Sequence, residues 1–224
     1  MIVFIFLLLS CKKDKVKTLT VDYGYFPLET GQWIIYNIES VTIDTEINLF
    51  DTTIYQLKET VESIYLDTTG EEVARIERYT RENDTLPWVI SDVWTAKRTG
   101  SSAQKTEENI KYIKMIFPAE KGKTWNGNAY NHLDSQEYEI TNTDHSASYN
   151  NLIFDSVMTI THAYDSSLID KNHIYERYAK NTGLIYKYAI DVYSNIQNFN
   201  PALPIEERIS SGSIYKQEII DYGN

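Results

Sequence analysis

The sequence has little cysteine, proline or glycine, and it has no long hydrophobic run. Its 224 residues include one Cys, five Pro and nine Gly. A single cysteine excludes an intramolecular disulfide, so an exported chain of this length must be stabilised by its core. The longest apolar run, residues 1–9, is well short of the roughly 20 residues that a transmembrane helix needs. A buried core strand is an alternative interpretation of this run.

Positive charge is also in deficit. Lys and Arg number 21 against 32 Asp and Glu, which gives a net charge of −11 at pH 7. Such a chain repels phosphate backbones, and it lacks the stripe of Lys and Arg that nucleic-acid binders use. We therefore predict no nucleic-acid partner. Lysines cluster at positions 12–17, where they either meet anionic headgroups or belong to a solvated tether.

Catalytic and metal-binding patterns are missing as well. The four histidines, His132, His145, His162 and His173, show no metal-ligand spacing, and no nucleophile elbow, phosphate-binding loop or calcium loop occurs. We predict no catalytic residue, no metal and no cofactor, and thus a non-enzymatic role. A weak calcium site and a hydrolase site assembled from scattered acidic residues are the minor alternatives.

The end of the apolar run carries the most specific pattern. Leu8, Leu9 and Ser10 precede Cys11, and this arrangement resembles the lipobox of bacterial lipoproteins. The resemblance implies that residues 1–10 are a signal peptide and that Cys11 is lipidated, since acyl chains bind a bilayer with about 0.8 kcal/mol per buried methylene. No Lys or Arg precedes Cys11, whereas secretory signals begin with a positively charged segment.

The rest of the chain favours β structure. It contains 18 Tyr, seven Phe and four Trp, residues that suit pleated and half-buried surfaces. Short alternating runs recur between turn signals, as at residues 53–66 and 73–79 around a turn at 67–70. We predict an all-β, antiparallel fold of about ten strands with few helices, built as a curved sheet, a half-barrel or a sandwich.

The same pattern gives three local predictions and a domain division. Residues 98–105 are polar and predict a loop, whereas residues 109–117 are apolar on both faces and predict either a central strand or a strand that is covered on each side. Alternation over residues 87–97 places Trp88, Ile90 and Trp94 on one face. The chain divides into a signal peptide (1–10), a lipidated tether (11–24) and a single β domain (25–224).

Three segments carry a wider resemblance. Residues 25–36, 122–128 and 178–187 read YFPLETGQWIIY, GKTWNGN and YAKNTGLIYK. In this order, after a lipobox cysteine, they resemble a group of Bacteroidota-type envelope lipoproteins. The resemblance implies a lipid-anchored envelope protein and no particular activity. Lys12 follows the cysteine, and by resemblance to Gram-negative lipoproteins this implies sorting to the outer membrane.

Binding is the function that we predict. In one hypothesis a concave sheet holds a hydrophobic small molecule, with Trp88, Trp94 and Trp125 as possible ligand platforms; the alternative for each tryptophan is core packing. In the other hypothesis the chain is a structural or accessory subunit that docks to another envelope protein through a sheet edge or an aromatic patch. A cavity above roughly 300 Å³ favours the first hypothesis, and a filled interior favours the second.

Overall fold

The all-β prediction is confirmed in the computed structural model, which describes residues 21–195, 200 and 202–224. Cys11 and the predicted signal peptide lie outside the described residues, and the predicted domain division stays a prediction. Within the described part of the chain, helical structure is limited to one 3-10 turn, Ile205–Glu207. No helix there is long and apolar enough to cross a membrane.

Twelve strands form one antiparallel sheet. The first six strands are β1 Trp33–Asp44, β2 Leu49–Leu66, β3 Glu72–Arg81, β4 Val89–Arg98, β5 Ser102–Glu107 and β6 Ile110–Ile116. The other six are β7 Thr124–Asn126, β8 Glu137–Tyr149, β9 Leu152–Ser166, β10 Asp170–Ala179, β11 Gly183–Tyr193 and β12 Ser211–Gly223.

The topology is an up-and-down meander that curls into a nearly closed barrel. Each strand pairs with its neighbour in sequence except β6 and β7, which are the two ends of the sheet. The first strand also pairs with the last, from Trp33 opposite Gly223 to Asp44 opposite Ser211. This pairing covers the edges of both terminal strands, which would otherwise expose unpaired main-chain groups. The sheet is therefore a barrel-like layer and not a two-layer sandwich.

The two ends of the sheet meet at β6 and the β7 region, which we call the seam. The main-chain N–H of Ile113 donates to the oxygen of Gly127 at 2.9 Å, and Trp125 Nε1 donates to the oxygen of Ile113 at 2.8 Å. Of the two alternatives for residues 109–117, the central strand is wrong, because β6 is last in the hydrogen-bonded order. Residues 125–131 cover the edge of β6 that no strand pairs, and there Asn131 Nδ2 also donates to Lys111 O at 2.9 Å.

The predicted loop at residues 98–105 is also wrong, because β5 begins at Ser102. Its side chains lack hydrophobic alternation, yet Ser102, Gln104 and Lys105 are all buried. Gln104 Nε2 donates to Ser102 Oγ at 3.1 Å on one face of the strand, and Lys105, on the other face, contacts Glu59 at 2.9 Å inside the barrel. Hydrophobic patterning misses a strand whose buried polar groups all have partners.

Residues 21–32 cross one end of the barrel, which we call the closed end. Tyr25 and Phe26 are buried in the main core cluster. Gly31 N–H donates to Val61 O at 2.9 Å, and Val61 N–H donates to Gln32 O at 2.8 Å. These bonds fix the segment against β2, and the turn at residues 180–182 holds its other side through Asn181 N–H and Gly24 O at 2.7 Å.

Candidate functional site

A cavity of about 120 Å³ lies inside the barrel, next to the closed end. One wall is apolar and comprises Phe26, Leu28, Ile34, Val61, Ile76 and Leu184. The other wall carries the charged residues Glu59, Arg78, Lys105, Glu107, Lys114, Glu176 and Lys187. The cavity is smaller than the roughly 300 Å³ at which ligand pockets usually begin, and its charged wall differs from the concave apolar surface predicted from the sequence.

Strand alternation explains why the charges point inward. Glu59 lies between Leu57 and Val61 on β2, two residues from each, and both neighbours are buried. In a strand, residues two apart share a face, so all three side chains point into the barrel. Glu176 on β10 is directly opposite Lys187 on β11, which places this pair on the inner face as well.

Glu59 anchors the first ion-pair group. Its carboxylate is 3.0 Å from Arg78 Nε and 2.9 Å from Lys105 Nζ. Burial by itself raises the pKa of Glu59, but the charges of Lys105 and Arg78 outweigh burial and lower the pKa overall. Glu59 is therefore ionised at neutral pH.

Glu176 is the centre of the second ion-pair group. It is 1% exposed, and its carboxylate is 2.7 Å from Lys114 Nζ and 3.5 Å from Lys187 Nζ. Tyr178 donates its hydroxyl hydrogen to Glu176 Oε2 at 2.6 Å. Burial alone raises the pKa of Glu176, but Lys114 and His162 reverse this effect, so the pKa lies well below its usual value.

A third carboxylate, Glu107, shares Lys114 with Glu176. Glu107 Oε1 is 3.7 Å from Lys114 Nζ. Burial raises the pKa of Glu107, yet the charge of Lys114 reverses the direction and lowers it. Because all three carboxylates of the cavity are held ionised by cations, none of them carries the proton that a glycosidase-type general acid needs at neutral pH.

His162 is buried beside this network. Its ring stacks on Tyr138 with centroids 3.8 Å apart, and its Nε2 is 3.3 Å from Glu176 Oε2. The geometry of this approach does not make a hydrogen bond. Burial lowers the pKa of His162 although Glu176 opposes this effect, and the imidazole is neutral at pH 7. Burial also raises the pKa of Tyr138 to about 12.

One lining residue of the cavity has a buried polar atom without a hydrogen-bond partner, Gln32 Oε1. Gln32 is held in place by its own amide, since Nε2 donates to Thr182 O at 3.0 Å. Thr60 Oγ1 is buried and unpaired too, but Thr60 lies between Glu59 and Val61, so its side chain points to the opposite face of β2. An unpaired buried oxygen costs about 1–3 kcal/mol, so Gln32 Oε1 would gain from a group that enters the cavity.

The three predicted tryptophan platforms do not form one surface. Trp94 lines the cavity, and the guanidinium of Arg78 lies 3.5 Å from its ring centroid. Trp125 is at the seam, where its ring contacts Tyr138 edge-on with centroids 5.8 Å apart. Trp88 precedes β4 and stacks with Arg81 at 4.3 Å.

The predicted common face of Trp88, Ile90 and Trp94 is wrong. Tyr79 pairs with Ile90 and Arg78 pairs with Asp92, so Ser91 is an extra residue on β4. Such a bulge reverses the alternation of side chains beyond it. Trp94 consequently shares the inner face with Arg78, whereas Ile90 lies on the outer face. The short β3–β4 pairing contains no sequence signal for this bulge.

No group of three or more His, Cys, Asp or Glu side chains in the described part of the chain could hold a metal ion. The charged interior itself was missed by the sequence analysis. One available signal is the parity of Glu59 with two buried neighbours. A second is Lys114, a charged residue directly between Ile113 and Met115 in a strand that is apolar on both faces.

Comparisons with known proteins give a fold likeness only. No protein-family model and no curated protein matches the chain. A crystal structure from Bacteroides fragilis, described as a "putative exported protein with YmcC-like fold", is 12% identical, with a TM-score of 0.45. A "putative lipoprotein" from Parabacteroides distasonis is also 12% identical, with a TM-score of 0.41. Each match covers 89% of this chain and 98% of the other.

Proposed function

We propose that this chain is a lipid-anchored, non-enzymatic binding protein of the cell envelope that holds a small ligand inside the barrel. The observation that carries the proposal is the internal cavity of about 120 Å³, with an unpaired buried oxygen, Gln32 Oε1, on one of its lining residues. Buried polar atoms are rarely left without a partner, and a bound molecule would supply one.

The ligand that suits this cavity is not a purely hydrophobic one. Seven charged side chains line the space, and transferring an apolar molecule there would leave them without solvation. A long acyl chain also exceeds the volume. The geometry therefore favours a small molecule with both a polar and an apolar part over the hydrophobic ligand that the composition suggested.

The envelope location rests on the lipobox pattern at the N-terminus. Acyl chains on Cys11 would hold the barrel at a membrane, and several chains bind stably where one binds only weakly. Lys12 after the cysteine supports the outer membrane as the site of attachment. The barrel would then lie beside that membrane on a short tether.

Replacing Cys11 with alanine is expected to abolish the lipid modification. In cells fed labelled palmitate, the wild-type chain and a Lys13→Ala control should both carry the label, because both keep the acceptor thiol. The Cys11→Ala chain should carry none and should no longer be retained in the carbonate-washed membrane fraction. Equal labelling of the alanine variant would refute the anchor.

Filling the cavity is expected to remove the ligand. Val61 lines the cavity and is buried, whereas Val93 is 46% exposed on the next strand but one. We expect the phenyl ring of Val61→Phe to occupy the cavity, and this overpacked core should cost about 1–3 kcal/mol of stability. Val93→Phe should leave the cavity open. Mass spectrometry of small molecules released from each purified full-length chain shows which variant retains the ligand.

The proposal requires a compound that co-purifies with the wild type and with Val93→Phe but not with folded Val61→Phe. Circular dichroism checks that each variant is folded. If the wild type releases nothing, or if Val61→Phe releases the same compound, the cavity is not a binding site.

Docking to another envelope protein is the second candidate function. The end of the barrel opposite the closed end carries apolar side chains on the β1–β2 and β3–β4 hairpins: Ile47, Phe50, Ile54, Leu86, Val89 and Ile90, each at least 41% exposed. Clustered exposed apolar groups mark interaction surfaces. An empty cavity in the experiment above would favour this function.

A further inference from the structure

We propose that two copies of this chain pair edge to edge through residues 49–55 of β2 and form a symmetric dimer. This segment lies at the end of the barrel opposite the closed end. The inference goes beyond the ligand-binding function and does not depend on it. It combines a free strand edge, an exposed segment that lacks protection against pairing, and a single register that suits two identical chains.

Residues 49–55, the first part of β2, have a strand on one side only. β2 pairs with β1 from Leu49 onwards, whereas its pairing with β3 begins only at Gln56, opposite Arg81. Within the part of the chain that the structure describes, no strand covers residues 49–55 on the β3 side. An open groove separates this edge from the β3–β4 turn. A free edge of this kind is a template for an added strand.

Every second residue of the edge directs its main-chain groups away from β1. Val61 N–H donates to Gln32 O, so the main chain of Val61 faces β1. Residues two apart face the same side of an antiparallel pair, and β1 and β2 pair without a shift of register. The odd-numbered residues of β2 up to Val61 therefore face β1. The N–H and C=O groups of Phe50, Thr52 and Ile54 point to the free side.

The segment itself offers little protection against pairing. Residues 49–55 read LFDTTIY, and Phe50 and Ile54 are 65% and 66% exposed. Natural sheets protect a free edge with Pro, with charged side chains or with a bulge, and this segment has only Asp51. Short β-prone segments with little charge and no Pro are the ones that pair most readily with a second strand.

One register of two identical strands uses the whole edge. A two-fold axis at Thr52 pairs Thr52 with its own copy, and pairs Phe50 with Ile54 of the second copy. All three outward-facing residues then exchange main-chain hydrogen bonds across the interface. Phe50 and Ile54 form an aromatic–aliphatic cross-strand pair, a type that stabilises sheets. Asp51 meets no like charge in this arrangement.

Neighbouring registers are less favourable. An axis one residue earlier would place Asp51 directly opposite its own copy, and like charges in that position destabilise a strand pair. An axis one residue later would pair Phe50 with Gln56 of the second copy, which β3 already occupies. Axes further away pair the edge with the β1–β2 turn or with residues that β3 covers. The register at Thr52 is therefore the one that we infer.

This register would also cover apolar side chains at the same end of the barrel. It brings the β1–β2 turn of one copy next to the β3–β4 turn of the other. Ile47 on the first turn and Leu86 and Val89 at the second are all exposed in the single chain. Contact between the turns would remove apolar surface from water. The segment is thus complementary to itself in both main-chain and side-chain groups, which is why a second copy is the partner that fits it.

Charge substitutions at Thr52 test the dimer and its register by sedimentation velocity of the purified full-length chain. We expect the dimer fraction of the wild type to rise with protein concentration. Thr52→Lys and Thr52→Asp should each dimerise at least about tenfold more weakly, because like charges then face each other at the axis. An equal mixture of the two variants should recover the dimer, because opposite charges then meet there.

Ser148→Lys is the matched control, since Ser148 is an exposed strand residue on β8, at the other end of the barrel. It should dimerise like the wild type. Circular dichroism confirms that each variant is folded. Thr52 does not line the inner cavity, so the result is independent of the ligand-binding function.

A wild type that stays monomeric at every concentration would overturn the dimer, and the exposed end would then serve a different protein. Dimerisation of folded Thr52→Lys at wild-type strength would exclude this edge as the interface. If both variants were monomeric and their mixture did not recover the dimer, the register at Thr52 would be wrong.

Discussion

Glu176→Gln is expected to destabilise the barrel by about 3–5 kcal/mol, because it removes the partner of buried cations. Lys114 is 5% exposed, and its contact to Glu176 at 2.7 Å is much shorter than its contact to Glu107 at 3.7 Å. Without the carboxylate, Lys114 and Lys187 would repel each other in a region that water reaches poorly. Urea denaturation measures the loss in the free energy of unfolding.

A second substitution separates charge from packing in this result. Glu176→Gln combined with Lys114→Met removes both charges of the closest pair, and we expect it to recover most of the lost stability, since apolar replacement of a buried pair is often neutral. Glu218→Gln is the matched control at a more exposed pair, 2.7 Å from Lys216, and should cost less than about 1 kcal/mol. If Glu176→Gln cost equally little stability, Glu176 would not be the carboxylate that stabilises the buried Lys114 and Lys187.

The same variant has a defined pH dependence. The pKa of Glu176 is lowered in the folded state relative to its ordinary value of 4.5. Its stabilising contribution is therefore complete above pH 4.5 and is lost as the pH falls towards the folded-state pKa. We expect the free energy of unfolding to fall more for the wild type than for Glu176→Gln as the pH is lowered from 5 to the lowest pH at which both chains are still folded.

Gly212→Ala is the second substitution with a large expected effect. Gly212 has a φ of +129°, a conformation that side chains other than glycine rarely adopt, and a methyl group there would overlap the main-chain oxygen of Asp191. The position is paired on both sides, with Ile43 on β1 and Val192 on β11. Main-chain strain alone costs about 1–3 kcal/mol, so we expect a total loss of at least about 3 kcal/mol.

Thermal unfolding of Gly212→Ala against Gly100→Ala measures this effect. Gly100 has an ordinary φ and no atom within 4 Å of an added methyl group, so its replacement should change stability by less than about 0.5 kcal/mol. If both variants melted at the wild-type temperature, the close contact between β11 and β12 at Gly212 would be disproved.

Some features of the fold could be predicted because they are local. The turn at residues 181–183 ends in a glycine, the residue that adopts a positive φ most readily, and Gly183 has a φ of +97°. Here the residue and its immediate neighbours contain the whole physical cause.

Other features could not be predicted, because they depend on residues far apart in the sequence. The bulge at Ser91 changes which face Trp94 occupies, and it is visible only in the pairing of β3 with β4. Lys114 and Glu176 are 62 residues apart in the chain, and neither signals its partner. A charged residue in a strand pattern is normally found on the solvent side, so the pattern gives no sign of the inner network.

By itself, the sequence determined the all-β class, the antiparallel arrangement of short strands, and the lipobox pattern that predicts the anchor, because each depends on neighbouring residues or on a periodicity of two. The tertiary structure alone decided that the sheet closes at the seam, that three carboxylates and four cations share its interior, and that the enclosed space is small. The reason is that burial of a charge depends on a partner brought close by the fold, and pairs of distant residues leave no trace in local pattern.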